Sequence, residues 1–408
     1  YNLEVELNSA GETLTLLNDY TLNGNLTLNQ GELQINDNTD DQRIQITIND
    51  DVYVGANAAV SVGTGNPFAT EGYAIGGTMP EDNSEKYHDI YHQFTVGGDF
   101  TNFGTIRFTN QNAPDYDDFT TTGGVTLRFT GMGNNTISLH NTTDLYNLVI
   151  DKGSDKTYIA TLYADNTDYF ELYGANNQAP NTMGSYTSEH PQVRKALFIE
   201  NGTLKLTGNI DIPTLTEGGS RDYLVGGHSR LWIAGSGVTV YTTAAETDDV
   251  TGFTTSDTYP ADGVNTGSGS QALSVYGEFR ISDGFFGSRN SAGFIFWSTA
   301  NAQIKIEGGT CNVSQFRSSA GATGASSYIQ TGGTLIVRGN ATQPGEVNGG
   351  SVHPLFNIPS EDDVFNMSGG EIIMRDNNPD TTCFYIPSAE TNYNVTGGQV
   401  TFDLPDGY

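Results

Sequence analysis

The sequence predicts an all-β chain, a right-handed parallel β-helix with polar loop insertions, and three observations carry that prediction. Apolar residues alternate at period two in short runs along the whole chain, the mark of strands with one buried face. A Gly-Gly pair followed by such a run recurs through the C-terminal third. Thr, Asn and Gly interrupt nearly every window long enough for three helical turns, with Ser84 to His92 the modest exception.

Taken in order, Leu3, Val5 and Leu7 open the alternation, followed by Leu14 and Leu16, Leu26 and Leu28, Leu33 and Ile35, and Ile44, Ile46 and Ile48. Gaps in the pattern, rich in Asn, Asp, Thr and Gly, predict surface loops at 63–92, 163–194, 242–269 and 339–353. The Gly-Gly pairs fall at Gly308-Gly309, Gly332-Gly333, Gly369-Gly370 and Gly397-Gly398, in successive steps of 24, 37 and 28. The last two copies align closely: Phe356 to Ser360 matches Phe384 to Ser388, and Phe365 to Gly370 matches Tyr393 to Gly398, all at an offset of 28. Gly202 to Leu206 and Gly237 to Val240 read as fainter copies. One such coil cannot close its own core, so it must stack on its neighbours and bury Val, Ile, Leu and Phe in a continuous interior. Glycine suits the corner because the backbone turns sharply there and the next coil packs against it. Coils of roughly 25 residues predict about 13 to 16 turns in one continuous β-helix over residues 1–408. Residues 163–194 are the least unfavourable place for a boundary, and the strand-like runs at both ends read as a fragment of a longer chain.

Composition narrows function more than it defines it. Gly is 50 of 408 residues, charged residues are only 16%, and 17 basic against 48 acidic side chains leave a net charge of −31. A surface this anionic repels phosphate backbones and anionic lipid, which excludes nucleic acid as a partner and speaks against membrane docking. No apolar run is long enough to insert in a bilayer as a helix. Abundant Thr, Asn, Gly and Tyr with few Lys and Cys fit an extracellular or bacterial outer-surface location.

The runs Asp144 to Asp151 and Gly202 to Asn209, with the Gly-Gly coils at the end, resemble large cell-surface β-helix repeat proteins of Bacteroidetes. That resemblance implies an exported, adhesin-like protein, typically carried by the type IX secretion system, although the usual sorting domain is absent. It also implies O-glycosylation at Thr381, within Asp380-Thr381-Thr382. The expected function is a non-catalytic adhesin or stalk segment meeting glycans or other surface proteins. The alternatives are a carbohydrate-active β-helix enzyme with an unrecognised site, and a passive filament segment.

Motif by motif, the enzyme reading lacks its residues, so no catalytic or cofactor-binding residue is assigned. Asn38-Thr39-Asp40-Asp41, Asn166-Thr167-Asp168 and Gly226-Gly227-His228 echo polygalacturonase motifs, but no Asp-Asp follows one coil after Asn166 and no Arg-x-Lys follows His228. No Arg stands one coil from an acidic cluster as a pectate lyase requires. Three acidic clusters are candidates for Ca²⁺: Asp37, Asp40 and Asp41; Asp115, Asp117 and Asp118; and Glu361 to Asp363. His88 and His92 have the helical spacing of a zinc pair without an obvious third ligand. Trp232 and Trp297 sit in strand-like runs and read as core residues before sugar platforms. Cys311 and Cys383 are separated by two to three coils, on the order of 10–14 Å, whereas a disulfide needs Cα atoms within about 7 Å. Titration of the denatured, unreduced chain is expected to count two thiols, and a count of zero with the two linked would break the repeat alignment.

Overall fold

The computed structural model describes residues 1–37, 43–64, 92–109, 123–172, 197–212, 223–241, 272–287, 294–299, 302–313, 315–323, 325–337, 347–348, 351–352, 356–358, 360–375 and 384–403. Strand dominates these residues, and the helical element among them is a single 3₁₀ turn at Thr167–Tyr169. The chain groups into two compact units. One holds Tyr1–Leu204 and Gly208–Asp211, and the other Lys205–Thr207, Ile212–Asp249 and Phe253–Tyr408.

In the first unit the strands build three parallel ladders, visited in fixed order. The first ladder stacks Leu3–Glu6, the leading halves of Leu26–Ile35 and Val52–Val62, then Phe100–Asn102, Asn135–Leu139 and Ile159–Ala164. The second stacks Thr13–Leu16, the trailing halves of the same two long strands, Thr105–Arg107, Thr143–Leu145 and Glu171–Leu172. The third stacks Tyr20–Leu22, Gln45–Ile48, His92–Val96, Val125–Phe129, Asn147–Asp151 and the start of Leu197–Ile212. One strand from each ladder makes a rung, and six rungs stack. The end of Ile159–Ala164 and the pair Glu171–Leu172 fall where residues 163–194 read as loop, because their short apolar runs find parallel partners in Asn135–Leu139 and Thr143–Leu145. His92, read as the end of a helical stretch, opens a strand instead.

The second unit repeats the scheme. Its first ladder runs through Ser229–Ile233, Glu278–Ile281, Gln303–Ile306 and the leading halves of Ser327–Val337, Val364–Met374 and Tyr393–Phe402. Its second ladder runs through Gly237–Tyr241, Phe285–Gly287, Thr310–Val313 and the trailing halves of those long strands. Its third runs through Tyr223–Val225, Ala272–Val275, Phe294–Thr299, Gln315–Thr323, Phe356–Asn357 and Phe384–Tyr385. Among the described residues each unit shows six complete rungs, and several rungs carry insertions. The longest Gly-Gly step holds one of them, and part of it is a small antiparallel pair, Val347–Asn348 with Ser351–Val352.

The repeat spacings reappear as strand register. Thr310 faces Thr334, Ser327 faces Val364, Phe365 faces Tyr393 and Phe356 faces Phe384, which reproduces the three Gly-Gly steps in order. The inward phase is apolar as predicted: Leu26, Leu28, Leu33, Ile35, Ile44, Ile46 and Ile48 are all buried. Leu14, on the first rung, stays largely exposed. In the second unit, aromatic rings stack rung on rung inside. Phe316, Phe356 and Phe384 lie at 5.0 and 4.8 Å, and Tyr328, Phe365 and Tyr393 at 5.3 and 5.6 Å.

Gly332-Gly333, Gly369-Gly370 and Gly397-Gly398 are corners between two halves of one long strand, where the register shifts, and Gly308-Gly309 turns between Gln303–Ile306 and Thr310–Val313. Gly333 has φ +64°, and a Cβ on it would stand 2.5 Å from the Gly308 carbonyl oxygen of the rung before. Beneath the next corner lies buried Gln330, whose Nε2 reaches the carbonyls of Gly332, Gly333 and Glu371 at 3.3, 3.3 and 3.1 Å. Its Oε1 accepts the Tyr328 hydroxyl at 2.7 Å. Gly333→Ala is expected to cost about 1–3 kcal/mol from backbone conformation alone, with the carbonyl contact adding to it. Gly11→Ala, where a Cβ meets nothing within 4 Å, should change stability by no more than about 0.5 kcal/mol. Denaturant titration of the two variants checks the contrast.

Candidate functional site

Those of the residues singled out from the sequence that lie among the described residues do not converge on one site. Asp37 is described, but Asp40, Asp41, Asp115, Asp117, Asp118, His88, Thr381 and Cys383 lie outside the described residues. Among the described residues no group of three or more His, Cys, Asp or Glu side chains could hold a metal ion. The 361–363 cluster is divided by its backbone. Glu361 and Asp362 face solvent, whereas Asp363 is buried and accepts hydrogen bonds from Ser326 N at 2.8 Å, Ser326 Oγ at 3.0 Å and Ser360 N at 3.1 Å. A carboxylate so engaged ties two rungs together. Asn166 leads into the 3₁₀ turn and Asp168 is exposed, while Gly227 and His228 form an exposed turn before Ser229–Ile233.

His92 is a core residue, which removes the zinc reading from it. It occupies the inward phase of His92–Val96 and is fully buried. Its Nδ1 accepts the backbone N–H of Ile44 at 3.0 Å, and Nε2 lies 3.4 Å from the Asn36 side-chain amide. With Nδ1 occupied as an acceptor, the ring proton belongs on Nε2. Cys311 is likewise buried in the second ladder and makes no disulfide, and burial drives its thiol far above the ordinary range. Such a thiol is inert.

Trp232 is not a core residue. It projects from the outer face of the first ladder in the second unit, between Lys205 Nζ at 4.2 Å and the Arg280 guanidinium carbon at 3.9 Å from the ring centroid. Its Nε1 donates to Ser282 Oγ at 2.9 Å. Arg280 is turned by Glu307, whose Oε2 accepts from Nε and Nη2 at 2.9 and 2.8 Å. On the same face, buried Glu278 receives Arg230 at 2.9 Å and Lys305 at 3.2 Å. A sugar stacks on an open ring face, and here the cations take both faces.

The first unit carries a comparable aromatic stripe. Tyr53, Phe103, His140 and Tyr163 succeed one another on adjacent rungs, with centroids 5.9, 4.4 and 6.1 Å apart. Phe103 and His140 lie nearly parallel, at 10°. Exposed Asp165 accepts from His140 Nδ1 at 2.7 Å and from the Tyr163 hydroxyl at 2.8 Å, and those two bonds hold its carboxyl below the usual range. Gly208 packs on the Tyr163 ring, where a Cβ would stand 2.8 Å from Cδ2. These rings serve one another, and their edges meet water.

Two ionisable groups are drawn inside the first unit that the motif search passed over. Asp144 is buried, which raises its carboxyl above the ordinary value, with Arg107 opposing from 3.4 Å. Lys152 is fully buried; its Nζ donates to the Thr130 carbonyl and to Asn135 Oδ1. The signal was present in the alternation, because Lys152 continues the inward phase of Leu148 and Ile150, and Asn135 begins that of Ile137 and Leu139.

No protein-family model, curated protein or solved structure matches the chain. What the geometry defines is a class: stacked parallel rungs in which described charged and aromatic side chains such as Glu278, Arg128, Trp232 and His140 engage neighbouring rungs. The His92→Phe variant keeps the bulk but leaves the Ile44 N–H without its acceptor, and is expected to lose about 1–3 kcal/mol in denaturant titration. An unchanged midpoint would show that the imidazole is filler.

Proposed function

We propose that the chain is a non-catalytic structural segment of an exported surface protein, built as a right-handed parallel β-helix and serving as a stalk or adhesin. The observation that carries this reading is that charged and aromatic side chains on the described outer faces are engaged by neighbouring rungs: Glu278 by Arg230 and Lys305, Arg128 by Asp151 and Glu200, and the Trp232 ring by Lys205 and Arg280.

Three further features support the reading. The ladders are visited in one cyclic order throughout each unit, as coils of a β-helix require, and right-handed crossovers are the rule for parallel strands. The outer faces present hydroxyls, amides and paired charges suited to contact with glycans or other surface proteins, while a net charge of −31 disfavours nucleic acid. Scarce Lys and Cys with abundant Thr and Asn fit an extracellular or outer-surface location.

Two measurements on the same material test the reading. Protease treatment of intact producing cells is expected to remove the chain, and the purified chain mixed with a panel of plant and microbial polysaccharides is expected to release no reducing ends or unsaturated products. Protection from protease would overturn the surface assignment. Product release would move the chain to the carbohydrate-active enzymes.

A further inference from the structure

We propose that Lys152 and Asn135 join through a side-chain amide, closing one rung of the first unit into a covalent ring.

The geometry begins with the phase of the two residues. Asn135 opens the first-ladder strand of its rung, Thr143–Leu145 follows in the second ladder and Asn147–Asp151 in the third, and Lys152 comes immediately after. The chain has by then made one circuit, and the two inward-pointing side chains meet where the circuit closes. Lys152 is fully buried and Asn135 is 8% exposed, among Phe129, Ile137, Ile150 and Ala160, which are all buried. An ammonium in such a place is expensive unless it is paired. The groups that receive Nζ are a backbone carbonyl and the Asn135 amide oxygen, both neutral.

The surroundings favour the reaction. Burial pushes the Lys152 ammonium down to about 8, with the charge of Asp99 opposing, so an appreciable fraction of the amine is neutral and nucleophilic near pH 8. Asn135 Nδ2 donates to the Gly97 carbonyl at 3.2 Å, which holds the leaving nitrogen on one side of the amide and Oδ1 on the side of Nζ. Asp99 Oδ1 accepts Thr136 N at 2.8 Å and so fixes the start of the strand that carries Asn135. Gly202, with φ +84°, leaves room for the lysine stem, since a Cβ there would stand 2.7 Å from Lys152 Cβ.

The step balances without a co-reactant. The ammonium first gives one proton to water, and the free amine adds to Asn135 Cγ. The Cγ–Nδ2 bond then breaks as a second proton passes from Nζ to Nδ2. The products are a secondary amide between Nζ and Cγ and one molecule of ammonia, which leaves as ammonium. Proximity does the work that an external catalyst would otherwise do.

Intact-mass measurement of the full chain decides the matter, because loss of ammonia lowers the mass by about 17 Da relative to the sequence. The denatured chain should resist trypsin after Lys152. Cleavage before Asp144 and Asp151 should leave the pieces bearing Asn135 and Lys152 joined. Lys152→Met and Asn135→Ala should each show the mass of their own sequence. The proposal is overturned if the wild-type chain has its full sequence mass with normal cleavage after Lys152. It is equally overturned if the mass deficit is present but the two pieces separate, as a cyclised asparagine would give. The wild-type result stands whether or not the variants fold.

Discussion

Everything in this protein follows from the parallel stacking of rungs about 4.8 Å apart. At that spacing each side chain sits directly over its register partner, so a position must tolerate its equivalents above and below. Inside, tolerance means apolar or aromatic residues that stack, as Phe316, Phe356 and Phe384 do. At the corners it means glycine, because the carbonyl of one rung occupies the space where the next rung's Cβ would go. Outside, opposite charges on neighbouring rungs pair at several positions. Arg128 stands between Asp151 and Glu200 at 2.6 and 2.9 Å, and Glu278 between Arg230 and Lys305. In a chain with 17 basic and 48 acidic residues, the basic side chains at these positions are paired with acids of neighbouring rungs.

The same constraint separates what is fixed from what is free. Equivalent strands of successive rungs are linked by register offsets that differ from one step to the next, so the rung tolerates an insertion provided the strands on either side recover their phase. Backbone hydrogen bonding and the interior column set the strands, and neither depends on what leaves the stack between them. A scaffold of this kind keeps its register constant while the lengths between its strands vary.

Stacking also explains why the outer aromatics make poor sugar platforms. Rings on adjacent rungs are close enough to cover one another, and the scarce cations complete the cover at Trp232. Polar residues in the inward phase behave differently. Gln330, His92 and Asp363 each satisfy backbone groups of a neighbouring strand or turn, so they specify register as well as fill space. Lys152 and Asn135 are satisfied chiefly by each other and by nearby carbonyls, which marks them as partners.

Period-two alternation marked many of the strands and the apolar interior, the recurring Gly-Gly pairs marked the corners, and the constant offset between the last two repeats gave the pairing of the final rungs on either side of the Gly-Gly corner. These were legible because each is local or repeated in the chain itself. The fates of Trp232, His92 and Asp363 were not, since each depends on groups far off in the chain that stacking brings alongside. Alternation says which face a side chain takes only when the strand's phase is known, and Trp232, one residue out of phase with Leu231 and Ile233, reads as inward only on its hydrophobicity. The meeting of Lys152 with Asn135 lay equally beyond the sequence. Each stands in an inward phase that could be read, but only closure of the rung puts one against the other.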